Sequence, residues 1–162
     1  WEGTNYIQAL DLVGRKLPMA GGKVFQGVLG ELMGFAKANA QDADFAADFG
    51  LLDKAAKVVG DFAQRFAAFF KDGRLSLVPM YATRFLDCFA EAVLAKLMLE
   101  QGLVARAKLA SVDPGSADGV FYRGKMASAK FFCRNVLPNV FGRHQALLQE
   151  DLSAMEIPEE AF

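Results

Sequence analysis

The chain has 162 residues and a mass of 17.6 kDa, room for one compact domain of ~100–200 residues and little beside it. Hydrophobic residues make up 53% and charged residues 23%, with a mean hydropathy of +0.18, so there is apolar surface for a core and a disordered chain is excluded. A formal net charge of -1 and a pI near 5.9 give no bulk attraction to nucleic acid or to an anionic membrane surface. Fifteen Phe beside one Trp and three Tyr suit the filling of a core rather than stacking on ligands.

In residues 1–17, Gly3 allows a tight turn, Thr4 is a good N-cap, and Ile7, Leu10, Val13 and Leu17 follow at helical spacing, which predicts a first helix with an apolar stripe. Glu2 stands just ahead of that start, where free N–H groups and the helix dipole favour an anion. An acidic residue before a helix is ordinary, and spacing by itself assigns it no chemistry. No initiator Met or leader precedes Trp1, so the chain reads as part of a longer polypeptide. Residues 24–38 place Phe25, Val28, Leu29, Leu32, Met33 and Phe35 at helical spacing, between Gly21-Gly22 and the breaker-rich residues 39–44. Between 51 and 70, Leu52, Ala55, Val59, Phe62, Phe66 and Phe69 step alternately by three and four, a seam that buries one stripe; Lys71-Asp72-Gly73 then ends the helix with a left-handed cap.

From Pro79, favoured in a first helical turn, the pattern runs to Leu109 and is apolar nearly all round, with a narrow polar strip of Arg84, Asp87 and Glu91. This predicts the central helix of a bundle, and Glu91 and Lys96 interrupt it too soon for a membrane span of ~20 apolar residues. Asp113-Pro114-Gly115-Ser116 predicts a turn, in which Pro fixes its own φ and Gly tolerates positive φ. The following helix turns Phe121, Tyr122, Met126, Ala129, Phe132, Val136 and Val140 inward and kinks near Leu137, because Pro138 lacks a backbone donor. Arg123, Lys130 and Arg134 form a basic face, read as solvated, although an acidic partner or a phosphate would fit it. In residues 155–162, Pro158 suits a first turn and Phe162 a docking role. No period-2 alternation of useful length, internal repeat or low-complexity tract interrupts the pattern. The expected fold class is all-α, an antiparallel bundle of about four long helices with an additional N-terminal helix.

Cys88 and Cys133 lie 45 residues apart without a CxxC and read as buried thiols of a reducing compartment, which places the protein in the cytoplasm. His144 is the only histidine, so a zinc site would need it and both cysteines, and a surface or helix-terminal role is the simpler reading. No nucleophile elbow such as GxSxG accompanies it, which discounts hydrolase chemistry.

The run Trp1-Glu2-Gly3-Thr4, with Ile7-Gln8 after two residues, resembles the segment of flavin-dependent acyl-CoA dehydrogenases that leads into the last helix of the catalytic body. The continuation from Ala9 to Leu17, then the run from Phe121 to Phe132, Val136-Leu137-Pro138 and residues 155–162, resemble the subgroup with an additional C-terminal helical domain, which includes the methylthiopropanoyl-CoA dehydrogenases. The resemblance divides the chain into residues 1–20, the last helix of the body with its Glu-Gly-Thr motif, and residues 21–162, an accessory helical bundle. It implies that Glu2 is the general base that removes the α-proton of an acyl-CoA thioester, and that the backbone N–H of Glu2 polarises the thioester carbonyl. It further implies that Thr4 contacts the FAD cofactor and that Gly3 permits close approach of backbone, substrate and flavin. Many members carry an arginine one position earlier than Arg15, and Arg15 is given no ligand role. The whole enzyme would use an acyl-CoA substrate and electron-transfer flavoprotein and would form a homo-oligomer, with no membrane span. The chain by itself is expected to bind no FAD and to be inactive, its bundle serving packing, subunit contact or access to the acyl-CoA site. The alternative is a free-standing helical interaction or oligomerisation module without catalysis.

Overall fold

The computed structural model describes residues 3–161, and among them there are six α-helices and no strand. The first, α1 (Thr4–Asp11), runs on into a π-helical turn over Leu12–Lys16. Its cap position is Gly3, already helical at φ -56°, and Thr4 is the first helical residue with no side-chain capping bond. Gly3 does stand in a turn, but the expected Thr4 cap is corrected: Gly3 takes the cap position in helical conformation, and Thr4 is already inside the helix. The predicted stripe rotates as well. Ala9 and Val13 are buried, Leu10 and Leu17 partly so, but Ile7 is 63% exposed. Ile7 lies two residues, ~200°, round the helix from Ala9, and α1 packs on the bundle by the Ala9 side.

Residues 17–22 reverse the chain through consecutive positive φ values at Ala20, Gly21 and Gly22 and deliver it to α2 (Lys23–Ala38), which buries Phe25, Leu29, Leu32 and Ala36. Helix α3 (Ala46–Lys71) buries every position of the predicted seam and also Phe49 and Asp48 near its start. Gly73, at φ +72°, closes it as expected. Helix α4 (Leu77–Leu109) has 33 residues, ~50 Å at 1.5 Å each, and packs against α1, α2, α3, α5 and α6, which makes it the central helix that its sequence predicts. Rings of Phe25, Phe62, Phe66, Phe69, Phe85 and Phe89 meet with centroids 5.5–6.3 Å apart where α2, α3 and α4 come together. This is where the excess of Phe goes, mostly in tilted and edge contacts, with Phe85 and Phe89 stacked at 15°.

In the turn before α5 (Ala117–Phe131), Ser116 caps the helix by accepting the Gly119 N–H at 3.1 Å, and the Asp113 carboxylate accepts the Gly115 N–H at 3.1 Å. Gly115 takes no positive φ; the side chain of Asp113, rather than a left-handed glycine, closes this turn. Helices α4 and α5 meet through small residues. A Cβ on Gly102 would lie 2.9 Å from the Phe45 ring and 3.3 Å from the Cβ of Ala129, so this approach requires glycine. The buried positions beyond α4 are Gly119, Ala129, Cys133, Leu137, Val140 and Leu147, whereas Phe121, expected inside, is 57% exposed. A π-helical turn over Phe132–Val136 and the residues Leu137 and Pro138 lead to α6 (Asn139–Leu148), with Leu137 N–H bonded to the Phe132 carbonyl at 3.0 Å. The irregularity falls where Pro138 predicts it.

The last segment is held by the Asp151 N–H on the Tyr81 hydroxyl at 3.0 Å and by Glu150, which reaches Arg65 and Arg74. Met155 and Ile157 stay exposed, and the docking role expected of Phe162 lies outside the described residues. Both cysteines are buried free thiols, as expected, and burial pushes each thiol up to about 12.

Candidate functional site

Of the three residues nominated at the start of the chain, Glu2 lies outside the described residues. Gly3 and Thr4 stand exposed at the start of α1, and a Cβ on Gly3 would meet nothing within 4 Å. The cap residue Gly3 itself makes no side-chain capping bond. The far end is closed. Asp11 accepts two bonds from Arg15, at 2.6 and 2.8 Å, and lies 3.4 Å from Lys16. The Arg15 hydrogen bonds hold the Asp11 carboxyl below the usual carboxylate range, so both cations are engaged on α1's own surface.

A cleft of about 560 Å³ opens between the turn after α1, the start of α2 and the second half of α3. Val13, Leu17, Phe25, Phe66 and Phe70 form its walls, and Gln26 and Gln64 are its polar side chains. Val13 is nine residues beyond Thr4, ~14 Å along the helix, so the fold does not bring Gly3 and Thr4 to this cleft. A second cleft of about 390 Å³ lies between α4 and α5, against Leu97, Val104, Phe121 and Lys125. Around it Leu94, Leu97, Val104, Val120 and Phe121 are all exposed, an apolar face that α4 and α5 share.

The remaining candidates have structural partners. His144 is not a surface residue. Its side chain is 17% exposed, its Nε2 is 2.6 Å from Asp61 Oδ2, and its ring lies against Phe62 at 5.7 Å. Burial pulls the Asp61 carboxyl upward, but the hydrogen bonds from His144 and Arg65 prevail and hold it below the carboxylate norm. Cys88 Sγ faces the Val140 carbonyl at 3.9 Å, and among the described residues no His, Cys, Asp and Glu cluster could hold a metal.

On the basic face read as solvated, Arg123 and Arg134 are exposed and Lys130 is half-buried, and each also has a partner within the chain. Arg134 binds Asp48 through two bonds of 2.7 and 2.9 Å, and the Asp48 carboxylate is wholly buried. Lys130 lies over the Phe45 ring at 5.2 Å, and Arg123 donates to the Pro114 carbonyl. Two further ties were missed by sequence reasoning: Arg106 with Asp42 at 2.6 Å, and Arg143 with Glu91 at 2.8 Å. Their partners lie 64 and 52 residues away, and local spacing carries no signal for such pairs.

The profile of the family described as Acetyl-CoA dehydrogenase C-terminal like matches residues 28–158. Two butyryl-CoA dehydrogenases of Syntrophomonas wolfei subsp. wolfei are 40% and 38% identical to the chain over 162 residues, in each case 100% of this chain and 26% of the relative. A broad-specificity linear acyl-CoA dehydrogenase of Mycobacterium tuberculosis is 28% identical over 169 residues, 100% of this chain and 27% of the relative. The chain thus spans about a quarter of the length of the curated relatives it matches.

Proposed function

The chain belongs to the acetyl-CoA dehydrogenase C-terminal-like family, and from that premise we propose that it is the C-terminal region of an FAD-dependent acyl-CoA dehydrogenase, which converts an acyl-CoA thioester to the 2-enoyl-CoA. The observation that carries this reading is the match of the whole chain to enzymes about four times as long. Within the family we place it with the methylthiopropanoyl-CoA dehydrogenase-like enzymes that carry an extra helical domain, with residues 1–20 closing the catalytic body and residues 21–162 forming the added bundle. The closing motifs from Phe121 to Phe132 and at Val136-Leu137-Pro138 support that placement.

In the whole enzyme Glu2 acts as the general base. Its carboxylate takes the α-proton, the electron pair of that C–H bond moves toward the thioester carbonyl, and the carbon–carbon double bond forms as the β-hydrogen leaves with its pair. FAD, when bound, supplies the acceptor for that hydride. The backbone N–H of Glu2 holds the carbonyl oxygen as negative charge develops on it. The exposed position of Thr4 and the open space at Gly3 fit a flavin and a substrate at this end of α1. A base working near neutral pH needs its carboxylate shielded from water, because burial disfavours the charged form.

Electron-transfer flavoprotein would be the partner that accepts the electrons of the whole enzyme. The exposed apolar face on α4 and α5 supports packing within a larger enzyme or contact between subunits of a homo-oligomer. Among the described residues no helix is long and apolar enough to cross a membrane, and the two buried free thiols are compatible with a cytoplasmic enzyme. The polypeptide of residues 1–162 by itself binds no FAD and is inactive, because the relatives devote three quarters of their length to other segments.

The test uses the full-length enzyme. Glu2→Gln is expected to keep its flavin and to lose about 10²- to 10⁴-fold in acyl-CoA-dependent flavin reduction, the range of a general base. Full activity in that variant overturns the reading, and flavin absorbance in the purified 162-residue polypeptide overturns its predicted inactivity.

A further inference from the structure

We propose that residues 153–161 dock into the cleft between the turn after α1, α2 and α3 of a second copy of this chain, and that the exchange is reciprocal. Both halves of the contact belong to one chain. Every residue from 153 to 161 is exposed, Met155 and Ile157 by about half of their surface, so the chain's own core leaves these two apolar side chains unused. The segment is nevertheless presented from a fixed root. Glu150 reaches Arg65 and Arg74, the Asp151 N–H donates to the Tyr81 hydroxyl, and the Asp151 carboxylate accepts from the N–H and the hydroxyl of Ser153. Pro158 biases Ile157 toward extended backbone, which lowers the ordering cost of binding.

The cleft supplies the other half. Val13, Leu17, Phe25, Phe66 and Phe70 make its walls apolar, and its 560 Å³ falls within the ~300–1,000 Å³ of pockets that bury most of a guest. Charge narrows the choice of guest. The charged residues next in sequence to those lining the cleft are Arg15, Lys16, Lys23, Arg65 and Lys71, all cations, and the exposed Lys23 and Lys71 have no anionic partner among the described residues. Residues 153–161 hold Glu156, Glu159 and Glu160 and no cation, and these carboxylates have no cationic partner among the described residues. An acidic peptide with two apolar anchors thus complements an apolar cleft with a basic rim. The chain's own segment is rooted on the wrong side of α3 for its own cleft: Arg65, which holds Glu150, is two residues from Ala67 of the cleft, ~200° round the helix. In a pair related by a two-fold axis each segment enters the other copy's cleft, so one pairing makes two equal contacts and closes both.

The experiment uses the full-length protein with Ile157→p-benzoylphenylalanine, a photoreactive side chain. Irradiation is expected to give a product of twice the chain mass on a denaturing gel, cross-linked to a peptide within residues 13–26 or 63–70. Lys23→Glu with Lys71→Glu is expected to lower its yield about fivefold at an unchanged thermal midpoint, and adding Glu156→Lys, Glu159→Lys and Glu160→Lys to restore most of it. If the doubly reversed protein melts early, Gln64→Glu, which sets an anion at an exposed position of the cleft, decides in its place. A yield that these reversals leave unchanged overturns the proposal. A cross-link to the cleft at single-chain mass shows the segment closing its own cleft and overturns the exchange; a cross-link to any other part of the protein, or none, overturns the docking altogether.

Discussion

Helices α3 and α5 pack against the same central helix, yet α3 buries its whole seam and leaves Phe70 as its one large apolar side chain outside, whereas α5 leaves most of its large apolar side chains exposed. Along α3 the seam from Leu52 to Phe69 is wholly buried, and its Phe rings interlock with those of α2 and α4. Along α5 the buried positions are Gly119 and Ala129, while Val120, Phe121 and Phe131 stay more than half exposed. Large side chains at alternating steps of three and four make a core of their own. Small residues instead let two helices approach until the large neighbours on either side have nowhere to go but outward. The first arrangement serves stability, and the second leaves an apolar face exposed.

The largest effect that should sharpen this contrast is Phe62→Ala, expected to cost about 3–5 kcal/mol in urea unfolding of the chain, since it empties a site at the meeting of α3 and α4. Arg134→Ala comes next, at on the order of 3 kcal/mol, because it leaves the Asp48 carboxylate buried without its cation and unfastens the segment after α5 from α3. Acid should act less strongly. The Arg106 hydrogen bonds, against burial, hold the Asp42 carboxyl below its usual value, so the stability from this pair is present above about pH 4 and is lost as pH falls through the lowered folded-state pKa. Asp42→Asn is expected to flatten the dependence of thermal midpoint on pH in that window. The smallest effect belongs to the open face. Phe131→Ser is expected to change the stability of the isolated chain by no more than about 0.5 kcal/mol, because that ring is 62% exposed. A loss as large as that of Phe62→Ala would show that α5 is sealed after all.

The parts legible in the sequence are those with local causes. The α3 seam, its Gly73 end, the α4 pattern and the irregularity at Pro138 each follow from residues a few positions apart. Ile7 and Phe121 were placed inside by the same periodicity and are exposed, because spacing says which residues share a face and not which face finds a partner. Thr4 has the composition of a cap, but whether the chain arrives extended or helical is decided by where α1 is laid down. His144 with Asp61, and Arg134 with Asp48, are 83 and 86 residues apart; His144 is turned inward, and Arg134, exposed as expected, also ties its segment to α3.

By itself, then, the sequence determined an all-helical chain, a Phe-lined core and a Glu-Gly-Thr motif at the front of the first helix. These depend on residue type and short spacing, which every local stretch of chain obeys independently of the rest. Only the tertiary structure decided that α1 sits on α4 through Ala9 and Val13, that the basic face is engaged within the chain, and that α4 and α5 keep an apolar surface open. Each of those outcomes is a choice among faces and distant partners, and it is settled by close packing of the assembled helices.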